Sequence, residues 1–81
     1  MTELQQRLVR CFTLAFPDLR ETEVSSASVA SVASWDSTAA LVLASVIEEE
    51  FGVPVSYEDL PELVSFELIL DHLERRLRGV S

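Results

Sequence analysis

The stretch WDSTAALVLASVIEEEFG, Trp35 to Gly52, reads as one helix with both of its ends marked. Asp36 suits the N-cap, because its carboxylate can accept an orphan backbone N–H and complements the positive helix end. Leu41, Ala44, Ile47 and Phe51 recur three or four apart, which predicts one buried stripe. Gly52 is placed to supply a left-handed C-cap, and Pro54 blocks continuation. The helix is therefore expected over residues 37–51.

The same helix carries more apolar surface than one stripe needs. Between Ala39 and Ile47 the only side chain with a polar atom is Ser45. Val42, Val46 and Leu43 are expected to lie toward solvent, and a helix apolar all round is either buried or covered by a partner. Glu48, Glu49 and Glu50 follow directly, giving an apolar patch with an acidic rim. Such a patch suits transient docking, in which charge orients and apolar contact grips. A metal site built from these glutamates with Asp59 and Glu62 is disfavoured, since adjacent acids on a helix point in different directions.

Outward from this element the chain reads as helices. Leu4, Leu8, Cys11, Phe12 and Ala15 form a helical stripe, Thr2 with Gln5 matches a capping box, and Pro17 ends the run. This places the first helix over about 3–15. Residues 17–35 make a long connection, expected to carry a hidden turn and to be pinned by Val24, Val29 and Val32. Ser56 with Asp59 suggests a short helical turn ended by Pro61. Ser65 is placed to cap a last helix with Phe66, Ile69, Leu70, Leu73 and Leu77 on one face. Arg75, Arg76 and Arg78 complement its C-terminus, and Gly79 would stop it. No stretch alternates as a strand. The expected architecture is a single all-α domain over 1–81, a small four-helix bundle of three main helices and one short helix with a long first loop.

Charge narrows the partners. The chain has 14 acidic and 6 basic residues, a net charge of −8, and from Asp36 to Glu74 it has acids but no Lys or Arg. That segment repels phosphate backbones and disfavours nucleic acid, but it attracts a basic protein surface. The opening MTELQQRL is acidic and polar, unlike a signal peptide, and no apolar run has the length of a membrane span. A single cysteine excludes an internal disulfide, and a cytoplasmic setting is the expectation.

Trp35-Asp36-Ser37, the run Glu48 to Gly52, and the opening SFELI of the last helix resemble, in spacing and order, the acyl carrier proteins. The likeness is close over residues 35–74 and extends to the first helix only by pattern. It implies a carrier domain and not an enzyme. Ser37, beside Asp36, would receive a covalent 4′-phosphopantetheine arm from coenzyme A through a phosphopantetheinyl transferase using Mg²⁺. The arm's thiol would hold acyl or aminoacyl groups as thioesters for a fatty-acid, polyketide or other specialised pathway. Loading ligases, ketosynthases or acyltransferases would be the partners of a monomeric carrier. Docking would fall on Thr38, Leu41, Val42, Ser45, Val46, Glu48 and Glu49.

The residues themselves agree with a modified rather than a catalytic serine. A serine acts as a nucleophile only beside a base, and the single histidine, His72, is 35 positions away on the expected polar side of the last helix. A helix N-terminus suits a phosphodiester. Cys11, on an apolar stripe, reads as a small hydrophobe. Trp35 reads as an anchor of the loop on the bundle, with contact to the arm as the alternative.

Against the family pattern, Thr38 replaces a leucine, and Ala39, Ala40 and Val42 stand where fatty-acid carriers commonly place acids. The Gly-Gly-x-Ser pattern of many peptidyl carriers is absent. These departures point to a partner with a more apolar footprint. The alternative reading is an unmodified helical adaptor that uses the second helix only for docking.

Overall fold

The computed structural model describes residues 2–56 and 58–78. Among them the elements are α1 (Glu3–Ala15), α2 (Glu21–Val24), α3 (Ser37–Phe51), a 3-10 turn (Leu60–Glu62) and α4 (Phe66–Arg78). The described residues contain no strand. One isolated antiparallel bridge joins Ser28 to Ser65. The all-α expectation and the limits of the first two long helices agree with these elements. The expected stop at Gly79 lies outside the described residues.

The caps follow from local chemistry. Thr2 Oγ1 accepts from Gln5 N–H at 3.1 Å while Gln5 Oε1 accepts from Thr2 N–H at 2.9 Å, the reciprocal capping box. Gly52 has φ 67°, and its N–H donates to Glu48 O at 2.8 Å, so the left-handed C-cap of α3 rests on a residue without a Cβ penalty. Ser65 Oγ accepts from Leu68 N–H at 3.1 Å at the head of α4.

The core is centred on Phe12 of α1. Its ring meets Trp35 at 5.5 Å and Phe66 at 5.4 Å, both edge-on, and tilts against Phe16 at 6.1 Å. Such edge-on pairs add to the burial of the rings themselves. Leu8, Phe12, Val24 and Leu73 are fully buried around this cluster. Helix α1 thus joins α2, α3, α4 and the long connection.

That connection is more structured than a loop. It holds the extra turn α2, which buries Val24, and it buries Ala27. Two backbone bonds then tie it to the head of α4: Val29 N–H to Val64 O at 2.9 Å and Phe66 N–H to Ala27 O at 3.0 Å. Val32 is half-buried, but the side chain of Val29 is exposed, so Val29 pins the connection through its backbone rather than by apolar contact.

Other expectations need correction. The turn expected from Ser56 begins instead at Leu60. Pro61 lies inside it, which is permitted because the first residues of a helical turn need no N–H partner. Ser56 and Asp59 form a hydrogen-bonded turn ahead of it. Leu77 was expected on the buried stripe of α4 and is exposed, because the core ends at Leu73. His72 is not on a fully polar side: it flanks Ile69 and Leu73, is half-buried, and its Nε2 is enclosed without a hydrogen-bond partner among the described residues. No helix is long and apolar enough to cross a membrane among the described residues.

One contact locks α1 to the end of α3. Arg7 Nε donates to Glu50 Oε2 at 2.8 Å, its Nη2 donates to Glu50 O at 2.7 Å, and its guanidinium lies 4.7 Å from the Phe51 ring centroid. The carbonyl is one of the orphans at a helix C-terminus, where a cation is favoured. Both side chains are about one-third exposed, so solvent screens the pair. Arg7→Ala is expected to destabilise by about 1 kcal/mol in urea titration. Arg7→Lys, which loses the planar fork, should recover only part of it.

Candidate functional site

The site is built at the junction of the long connection and α3. Trp35 is 6% exposed and rests on Phe12 and Phe16, the latter at 5.4 Å. The Trp35 backbone N–H donates to Val32 O at 3.0 Å, and the Asp36 backbone N–H donates to Ser34 O at 3.0 Å. Asp36 is extended, with φ −109° and ψ −170°, and its Oδ1 accepts from Ala39 N–H at 2.8 Å. The first helical bond, Ala40 N–H to Asp36 O, is 2.9 Å. A buried indole and a carboxylate cap thus fix Ser37 as the first residue of α3.

Ser37 and Thr38 are exposed. Among the described residues nothing is hydrogen bonded to the Ser37 hydroxyl or to the N–H groups of Ser37 and Thr38. These free donors at a helix N-terminus favour an anion. Beside them a shallow groove of about 220 Å³ runs from Asp36 and Ser37 past Trp35 and Ala40 to Leu60, Leu63 and Val64. Trp35 therefore anchors the loop and also lines the groove. The groove residues contributed by the 3-10 turn and its exit are absent from the sequence expectation, which placed nothing beyond Glu49 at the site. Only the fold brings Leu60, Leu63 and Val64 to Ser37.

The exposed face of α3 differs from expectation in its phase. Leu41, expected to lead the buried stripe, is 43% exposed, and Val42 is 47% exposed. Leu43, expected toward solvent, is 2% exposed and packs in the core. Val46 is half-buried. The buried side runs through Leu43, Ala44 and Ile47. Thr38, Leu41, Val42, Ser45, Glu48 and Glu49 remain exposed and share one side of the helix.

The three glutamates have three different tasks. Glu50 pairs with Arg7. Glu48 Oε2 accepts from Val55 N–H at 2.7 Å and holds the chain leaving α3. Glu49 has no ion-pair or hydrogen-bond partner among the described residues. The acidic rim available to a partner is therefore centred on Glu49.

Cys11 has no place in the site. It is buried on α1 at 1% exposure, and its thiol is pushed up to about 11, first by burial and then by the Glu50 charge. A thiol so placed is protonated and inert at neutral pH. The neutral form is favoured in the fold, so the unfolded chain binds fewer protons between about pH 9 and 11. Stability linked to Cys11 is complete below pH 9 and is lost as pH rises toward 11. Cys11→Val is expected to flatten that part of the pH–stability curve, read by urea titration at pH 8 and pH 10.5.

In comparison with known proteins, the chain matches no family model, no curated protein and no solved structure.

Proposed function

We propose that the chain is a carrier domain of the acyl carrier type, with Ser37 as the attachment point of a 4′-phosphopantetheine arm. The observation that carries this reading is the setting of Ser37. It is an exposed hydroxyl at the first position of a long helix, beside two backbone donors that are free among the described residues, and it is held in place by a buried tryptophan. The residues suit the group. The helix end favours a phosphodiester, and the apolar groove past Trp35 offers a wall for the arm's methyl groups. When attached, the arm supplies a thiol that holds a cargo as a thioester.

The chain's own residues then have plain tasks. Asp36 starts α3 and so aims Ser37 outward. The neighbouring Asp36 carboxylate is engaged as the helix cap and nothing among the described residues is hydrogen bonded to the Ser37 hydroxyl, so Ser37 relies on a transferase to activate it. Asp36 also places a negative charge next to the incoming phosphate, which favours a divalent cation shared with that enzyme. Incubation with coenzyme A, Mg²⁺ and a transferase of broad specificity tests the reading by intact mass. One added phosphopantetheine is expected, and an unchanged mass would favour the unmodified adaptor instead.

Docking of partner enzymes is assigned to Thr38, Leu41, Val42, Ser45 and Glu49, with Val46 and Glu48 at the edges. Near Ser37 this face is apolar, and its free charge, Glu49, lies about 18 Å farther along the helix, twelve residues on. The partner that fits has an apolar contact at the serine end and a lysine or arginine at the far end. Val42→Glu is expected to slow acyl transfer by a cognate partner at least tenfold, the effect of about 1.4 kcal/mol, while helicity stays unchanged. Unchanged transfer would remove this face from the docking reaction.

A further inference from the structure

A thioester held on a flexible arm meets the groups of its own carrier at a high effective concentration. The molecule measures only 37 × 28 × 19 Å, so much of its surface lies within reach of an arm on Ser37. A side-chain amine there would attack the thioester carbonyl. A C–N bond forms, the C–S bond breaks, and the amine proton passes to the leaving thiolate. The product is an amide on the carrier, and the cargo is lost to the pathway.

The sequence contains no lysine: all six basic residues are arginine. A guanidinium stays protonated and is no nucleophile, whereas an ε-amine gives up its proton far more readily. The arginines still serve as cations. Arg7 pairs with Glu50, and Arg75 pairs with Asp71 at 2.9 Å. The other strong side-chain nucleophiles are withdrawn. Cys11, the single cysteine, is 1% exposed, and its thiol, pushed up to about 11 first by burial, is protonated at neutral pH. His72, the single histidine, is half-buried with its Nε2 enclosed. Ser34 and Thr38 are exposed beside Ser37, but a hydroxyl attacks only when a base activates it.

We propose that this surface is inert toward its own cargo, and that the cargo is an acyl group activated toward amines, of the α-aminoacyl class. The proposal rests on the carrier reading of Ser37. A plain alkanoyl thioester reacts slowly with amines and needs little such protection. An α-ammonium group draws electrons from the adjacent carbonyl and makes it a far better acceptor. Arginine in place of lysine keeps the charges that the fold uses and adds no acceptor for such a group.

Ala33 is exposed, four residues before Ser37, so Ala33→Lys sets one amine beside the arm without touching the core. A broad-specificity transferase loads the wild type and Ala33→Lys from glycyl-coenzyme A. Intact mass before and after hydroxylamine separates thioester from amide, and fragmentation sets aside any group on the α-amine. The wild type is expected to lose glycyl only to water. Ala33→Lys is expected to lose its thioester about tenfold faster, into a hydroxylamine-resistant adduct on the new lysine. With acetyl in place of glycyl, the two proteins should differ by about twofold or less. A resistant side-chain adduct on the wild type, or equal glycyl lifetimes in the two proteins, would overturn the inert surface. The same acceleration for acetyl as for glycyl would overturn the cargo class. The unmodified chains are also treated with the N-acetylcysteamine thioester of glycine. Acylation of wild-type side chains to the level of Ala33→Lys overturns the inert surface, and a clean wild type beside an acylated Ala33→Lys upholds it. A chain that takes no arm overturns the carrier reading and the cargo with it, and this second treatment still decides the surface.

Discussion

Phe12→Ala is expected to lower the melting temperature by roughly 15–30 °C and to leave a large unfolded fraction at 37 °C. Truncating a buried phenylalanine costs about 3–5 kcal/mol, and each kcal/mol moves Tm by about 4–8 °C in a domain of this size. Such domains have total stabilities of roughly 4–12 kcal/mol, so the loss is a large share of the whole. The expectation is at the high end because Phe12 is fully buried and touches Phe16, Trp35 and Phe66 together. Removing its ring takes support from α4 and from the indole that fixes the start of α3. Phe12→Leu, which keeps most of the volume, should cost about 1–2 kcal/mol. Differential scanning calorimetry on the three proteins decides this. A fall of only a few degrees in Phe12→Ala would mean that the aromatic cluster is not the centre of the fold.

Ser37→Ala is expected to abolish modification by a phosphopantetheinyl transferase while leaving the fold intact. The hydroxyl is exposed and makes no hydrogen bond among the described residues, so the stability change should lie within about 0.5 kcal/mol. Asp36 still caps the helix in this variant, and α3 keeps its start. The effect on mass is all or none, because no other residue is placed to substitute. Thr38 follows on the same turn, but its hydroxyl is on a branched carbon and is displaced around the helix. The intact masses of the wild type and Ser37→Ala, with circular dichroism as the check on folding, give the result. A mass gain that persists in Ser37→Ala would place the modification elsewhere.

The ends of α1 and α3 were legible because short-range chemistry writes them. Thr2 with Gln5, Asp36, Gly52 and Ser65 each act within a few residues of themselves. The phase of α3 was not legible. Nearly every residue from Ala39 to Ile47 is apolar, so several stripes satisfy a helical period equally. Burial by α1 on one side and by the 3-10 turn and its approach on the other selects Leu43, Ala44 and Ile47, and it leaves Leu41 outside. The turn α2 was hidden because four residues carry too little periodicity to stand out. At the site, Ser37 and Asp36 could be found in the sequence, whereas Leu60, Leu63 and Val64 reach the groove only through tertiary packing. The acidic run was visible, but its division among Arg7, Val55 and solvent was not, since those partners lie on other elements or beyond the helix end.

Ser37 as the attachment point is tested most directly by localising the added group with fragmentation mass spectrometry. The chain is treated with coenzyme A, Mg²⁺ and a broad-specificity transferase, digested, and sequenced in the gas phase. One phosphopantetheine on Ser37, and none on neighbouring Ser34, Thr38 or Ser45, is the predicted result. A chain that stays unmodified after exhaustive treatment, or a group found on another residue, would contradict it.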